Sequence, residues 1–228
     1  MMPIFYLPIS YPDRETFFQL LDLLQKYQVP MVEIGLPATN PFLDGELIQR
    51  INHQLLQAGL STAELTKILL QIREKYTFQV VLMTYKEGVE RFSLQELPMD
   101  LYAGILCVDA VLSQITFPKQ VALVSPASKA VDVKTQCVLS HTFIYLMTHS
   151  GKTGEKVSLE NAPYQEILPL LKHYSKDPVY VGFGVKNAQD VSCIRDSGAD
   201  GAIVGTEFLH QYELGGLSQI EQYLQSFQ

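Results

Sequence analysis

The feature that most constrains this chain is an alternation that repeats eight times. Short apolar, β-branched or aromatic runs stand at 4–7, 31–36, 78–84, 104–108, 121–124, 142–147, 179–183 and 202–204. Most are apolar throughout rather than at every second position, the pattern of parallel strands covered on both faces. Segments with helical spacing lie between them. In 14–27, Phe17, Phe18, Leu20, Leu21 and Leu24 form one stripe, with Asp13 placed as an N-cap behind the Tyr11-Pro12 turn. Helices are predicted at 46–57 and 63–76, parted by Gly59 as a stop and by Ser61 or Thr62 as the next cap. Others are predicted near 89–97, 131–139, 164–173, 188–197 and 217–226, with only a turn near 113–117. Strands alternating with helices require a parallel sheet with right-handed crossovers, and eight of them favour a closed (β/α)8 TIM barrel over an open sheet. No linker or low-complexity tract divides residues 1–228, which read as a single domain.

Composition narrows the function classes. A net charge of −7 argues against a broad nucleic-acid surface, yet leaves room for an anionic metabolite held by backbone donors. Cys107, Cys137 and Cys193 are odd in number and far apart, which fits a reducing compartment better than a disulfide framework. No run approaches a membrane span and the first ten residues lack a leader pattern, so a cytoplasmic location is expected.

In a barrel of this kind, chemistry gathers where strands end. The second run carries Glu33 among apolar neighbours, where desolvation pushes a carboxyl toward acid/base use; a core-edge glutamate held by a lysine or by amides is the plain alternative. Asp44 follows eleven positions later in an Asp-Gly pair that also suits an ordinary turn. Gly182-Phe183-Gly184 and Gly205-Thr206 end the seventh and eighth runs, where glycines and a helix start can cradle a phosphate. After the sixth run, residues 148–156 form a long loop able to close over a ligand. Gly151-Lys152-Thr153 within it matches the end of a P-loop, but Leu146 stands where that motif needs a glycine. The five histidines form no ligand pair, and only His149 falls in an active-end loop; no metal site is expected.

The stretch Glu33-Ile34-Gly35-Leu36-Pro37-Ala38-Thr39-Asn40-Pro41-Phe42-Leu43-Asp44-Gly45 resembles the signature of the tryptophan synthase alpha subunits, including the spacing of the two carboxylates. Leu82-Met83-Thr84-Tyr85, Tyr145-Leu146, Thr153-Gly154, Gly182-Phe183-Gly184 and Gly205-Thr206 extend the likeness from about Tyr6 to Leu209. The resemblance implies retro-aldol cleavage of indole-3-glycerol phosphate to indole and glyceraldehyde 3-phosphate, with no cofactor, because the indole ring serves as its own electron sink. It assigns Glu33 as general acid/base and Asp44 as the acceptor of the indole N–H. By the same resemblance Tyr6, Met83, Tyr85, Leu106, Val124, Tyr145 and Phe183 would surround the indole; for Met83, Leu106 and Val124 plain core packing is an equal reading. Gly154, Phe183, Gly184, Gly205 and Thr206 would hold the phosphate, with Thr153 closing the lid. The implied partner is a beta subunit, in an alpha2beta2 heterotetramer.

The sequence departs from the family pattern in places. It lacks the short helix before the first strand, which would leave the barrel bottom less covered. Asn40, His149 and Lys152 differ from the family's usual residues, and Asp109 lacks its flanking prolines. These changes touch the coupling region, so a catalytically weak subunit that mainly activates its beta partner is the second reading. A sugar-phosphate isomerase or epimerase is the third, although no other acid/base pair is found for it.

Overall fold

The computed structural model describes residues 2–139, 142–151, 153, 158–160 and 162–228. Eight parallel strands form one sheet: β1 (Ile4–Pro8), β2 (Met31–Gly35), β3 (Gln79–Thr84), β4 (Gly104–Cys107), β5 (Ala122–Val124), β6 (Ile144–Met147), β7 (Val179–Gly182) and β8 (Gly201–Val204). Their order is β4-β3-β2-β1-β8-β7-β6-β5. At the remaining seam the Ile105 N–H donates to the Lys119 carbonyl at 2.8 Å and the Val121 N–H to the Ile105 carbonyl at 2.9 Å, which joins β4 to β5 and rounds the sheet into a barrel. Continuous burial along β1, β2, β4, β6 and β8 explains the unbroken apolar runs, since barrel packing covers one face and helices the other.

The helices are α1 (Arg14–Lys26), α2 (Glu46–Ala58), α3 (Thr62–Lys75), α4 (Lys86–Arg91), α5 (Ala130–Leu139), α6 (Tyr164–Tyr174), α7 (Ala188–Asp196) and α8 (Thr206–Gln225). Their ends follow the local chemistry. Asp13 accepts from the Thr16 N–H and caps α1, Gly59 ends α2 in a left-handed conformation, and Ser61 with Glu64 forms a capping box on α3. The predicted turn near 113–117 is present, closed by the Phe117 N–H on the Ser113 carbonyl.

Two expectations are corrected. The helix expected at 89–97 starts earlier and ends at Arg91; Ser93, at φ 47°, breaks it from a 3-10 turn at Leu94–Glu96. The last helix starts at Thr206 rather than 217. Gly215 and Gly216 divide it in two, and the predicted range covers only its second half. Ile4, Met31 and Phe143 sit buried at the strand starts and fill the barrel there from within.

Phe5 ties the barrel wall to α8. Its ring is fully buried, 5.1 Å from Phe208 and 5.7 Å from Phe227, with Tyr223 edge-on at 6.3 Å. Phe5→Ala removes a large ring from a site that cannot collapse around the gap. Chemical denaturation is expected to show a loss of about 3–5 kcal/mol.

Candidate active site

At the C-terminal ends of the strands lies a cavity of about 220 Å³. Its floor is set by a repeated device. Tyr6 on β1 pairs with Glu33 on β2, and its ring leans along the strand to cover Gly35, two positions further on. Tyr145 on β6 pairs with Tyr180 on β7 and covers Gly182 by the same offset. A Cβ on Gly35 would stand 2.2 Å from the Tyr6 hydroxyl, and one on Gly182 would stand 2.1 Å from the Tyr145 hydroxyl. Both glycines are therefore steric requirements for two rings that lie across the barrel mouth.

Glu33 lines the same cavity as these rings and is 1% exposed. Its Oε1 has no hydrogen-bond partner, so nothing offsets the loss of water, and burial pushes the carboxyl up to about 8. Asp44 reaches the same cavity from the loop between β2 and α2, which neighbours hold at several points. The Ala38 N–H donates to Asn52 Oδ1 of α2 at 2.8 Å, and the Thr39 N–H donates to Glu87 Oε2 of α4 at 2.7 Å. The Tyr85 hydroxyl donates to Asp44 Oδ2 at 3.0 Å and accepts from the Leu43 N–H at 3.1 Å. Thr153 closes over the loop: its N–H donates to the Leu43 carbonyl at 3.0 Å, and its hydroxyl accepts from the Gly45 N–H at 2.9 Å. That hydroxyl also lies 3.4 Å from Asp44 Oδ1. Burial raises Asp44 to about 6, with the Tyr85 and Thr153 hydrogen bonds pulling the other way. Two carboxyls in one cavity thus differ by environment: between those values Asp44 is ionised while Glu33 keeps its proton.

The opposite wall is built from backbone. Phe183 and Gly184 both take φ of 76°, a conformation unusual for phenylalanine, and the Phe183 carbonyl is fixed by the Thr148 hydroxyl at 2.7 Å. Gly205 and Thr206 open α8, which brings the start of that helix to the cavity, and the buried Thr206 Oγ1 has no partner among the described residues. This end suits an anion, and the tyrosine end suits a flat apolar ring.

A family model described as tryptophan synthase alpha chain matches residues 2–227. The chain belongs to the tryptophan synthase alpha chain family. Relatives include the alpha chain of Prochlorococcus marinus (strain NATL2A), 34% identical over 220 residues that span 90% of this chain and 80% of that one. The alpha chain of Synechococcus elongatus is 28% identical over 229 residues, covering 94% of this chain and 85% of its own length. Among solved structures, the tryptophan synthase complex from Pyrococcus furiosus superposes with a TM-score of 0.82 at 25% identity, covering 99% of this chain and 96% of that chain. A second structure, from work on mutual activation of the tryptophan synthase a2b2 complex of the same organism, gives 0.85 at 25% identity over the same shares of the two chains.

Within this family member, Tyr6, Glu33, Asp44, Tyr145 and Thr153 come together on one side of the cavity, and Phe183, Gly184, Gly205 and Thr206 on the other. Gly154 lies outside the described residues. Met83 lines the cavity, whereas Leu106 and Val124 are core residues that do not. Tyr85 stands behind Asp44 rather than on the cavity wall, which makes it a positioning residue. Sequence reasoning missed Ile48, Val185, Lys186, Glu207 and His210, which also line the cavity. His149, expected in an active-end loop, does follow β6 and stands 6.2 Å from the Phe183 ring, and His210 lines the cavity as well. The signal for His210 was available, four residues after Thr206 and so on the same face of a helix that begins at the phosphate turn.

The Tyr85 hydrogen bond stabilises ionised Asp44. Tyr85→Phe removes it, so Asp44 should take up its proton at higher pH. The acidic limb of a kcat/KM–pH profile is expected to move upward from about 6.

Proposed function

We propose that residues 1–228 act as one domain that cleaves indole-3-glycerol phosphate to indole and glyceraldehyde 3-phosphate, with Glu33 and Asp44 as its catalytic residues. The observation that carries the assignment is the pair of carboxyls in one cavity, raised by burial to about 8 and about 6. Near neutral pH, protonated Glu33 delivers its proton to the ring carbon that bears the side chain. Positive charge then develops at the ring nitrogen, where Asp44 accepts the N–H hydrogen bond and stabilises it. The ring-to-side-chain carbon–carbon bond breaks, its electron pair returns to the ring, and the adjacent hydroxyl becomes the aldehyde by losing its proton. Glu33, now a carboxylate, takes that proton and is ready again, so one residue serves as acid and then as base. The indole is read as lying among Tyr6, Met83, Tyr145 and Phe183, and the phosphate as lying on Gly184, Gly205 and Thr206, with Thr153 and Gly154 in the lid.

The Pyrococcus relative assembles as an a2b2 complex, and the same assembly with a beta subunit is part of this reading. No described helix is long and apolar enough to cross a membrane. A cytoplasmic location is proposed with it, supported by three unpaired cysteines.

Indole release from indole-3-glycerol phosphate tests the assignment. The rate should rise with pH as Asp44 ionises through about 6 and fall as Glu33 loses its proton through about 8. Glu33→Gln should cost about 10²-fold or more, and Asp44→Asn about 10²–10³-fold. A wild-type chain that releases no indole but accelerates a beta subunit would support the activator reading instead.

A further inference from the structure

The anion end of the cavity carries a charge that works against an anion. Glu207 is the second residue of α8 and lines the cavity beside Gly205 and Thr206. Its Oε1 accepts from Gln211 Nε2 at 2.7 Å, which holds the carboxylate in place, and Asp44, ionised above about 6, adds a second negative charge to the same cavity. A phosphate brought to the start of α8 would share the cavity with this carboxylate, on a protein whose net charge is already −7. Helix-terminal amides favour anions, but a neighbouring like charge opposes them by a comparable amount.

Lys186 lies on the same wall. Its main chain is clamped from two sides: its N–H donates to Asp190 Oδ2 at 2.7 Å, and its carbonyl accepts from the Tyr223 hydroxyl at 2.5 Å. Glu207 and Asp190 both act electrostatically on that same tyrosine, so the acidic groups gather around the point where Lys186 is anchored. The side chain is half-buried, and among the described residues its ammonium forms no ion pair. A lysine with a fixed backbone on the cavity lining, whose ammonium forms no ion pair among the described residues, is suited to meet an anion. The buried Thr206 Oγ1, without a hydrogen-bond partner among the described residues, is a second group of this lining free to bind one.

We propose that Lys186 determines specificity for the phosphate arm of the substrate, by offsetting Glu207 and making a charge-assisted contact to the phosphate. The inference rests on placing the phosphate at Gly184, Gly205 and Thr206. In this arrangement Lys186 and Glu207 work as opposed settings: the lysine admits the phosphate, and the glutamate holds its affinity down so that the cleaved triose phosphate can leave.

The test is calorimetric titration of the intact chain with inorganic phosphate and with glyceraldehyde 3-phosphate, alongside steady-state kinetics. Lys186→Met should weaken phosphate binding about tenfold and raise KM in step, the loss falling on KM rather than kcat. Lys186→Arg should restore most of it, Glu207→Gln should tighten binding, and added salt should weaken the wild type more steeply than Lys186→Met. Phosphate affinity unchanged in both Lys186→Met and Glu207→Gln would overturn the proposal. So would a Lys186→Met loss that arginine fails to restore, since that would mark packing rather than charge. A wild type that binds phosphate through Lys186 yet releases no indole would refute the lyase reading and leave this inference standing. Turnover with Lys186-independent binding would do the reverse.

Discussion

The structure turns on one unfavourable placement: a carboxyl buried in the middle of an apolar strand with no hydrogen bond to Oε1. Taking an ionised carboxylate out of water without a partner costs several kcal/mol, so Glu33 avoids the cost by keeping its proton to about 8. A glutamate in water would be a base at neutral pH and could not protonate carbon. Much of the surrounding architecture maintains this state. Tyr6 and Tyr145 cover the adjacent strands without donating to Glu33, and Gly35 and Gly182 leave space for their rings.

Asp44 shows the contrary treatment of the same functional group. It is also buried, but Tyr85 and Thr153 supply hydrogen bonds that favour its charged form. The barrel achieves the difference by its elements. A strand sets Glu33 rigidly in the interior, while a loop pinned by Asn52, Glu87 and Tyr85 brings Asp44 to the rim, where hydroxyls can reach it. Thr153 links the loop after β6 to that rim, its hydroxyl accepting from the Gly45 N–H and lying within reach of Asp44 Oδ1.

Legibility in the sequence followed the range of the interactions. Strand positions were legible because burial on both faces leaves unbroken apolar runs, and caps such as Asp13 and Ser61 were legible because they act over three residues. Glu33 and Asp44 were visible through the spacing of a long signature. Less visible were features that depend on tertiary contact. Nothing local shows that Tyr85 supports Asp44 from behind while Tyr6 and Tyr145 form the wall, or that Met83 reaches the cavity while Leu106 stays in the core. The predicted last helix covered only the second half of α8, so the cavity positions of Glu207 and His210, on its first half, went unread.

The most direct test is the protonation state of Glu33 itself. Infrared difference spectra between the wild type and Glu33→Gln, recorded across pH, isolate the carboxyl stretch of that one residue. A protonated carboxyl band that persists through neutral pH and vanishes near 8, with Asp44 already ionised above about 6, is the predicted result. A band that is lost near 4.5, the value of an unperturbed glutamate, would contradict the account, because Glu33 would then carry no proton to deliver.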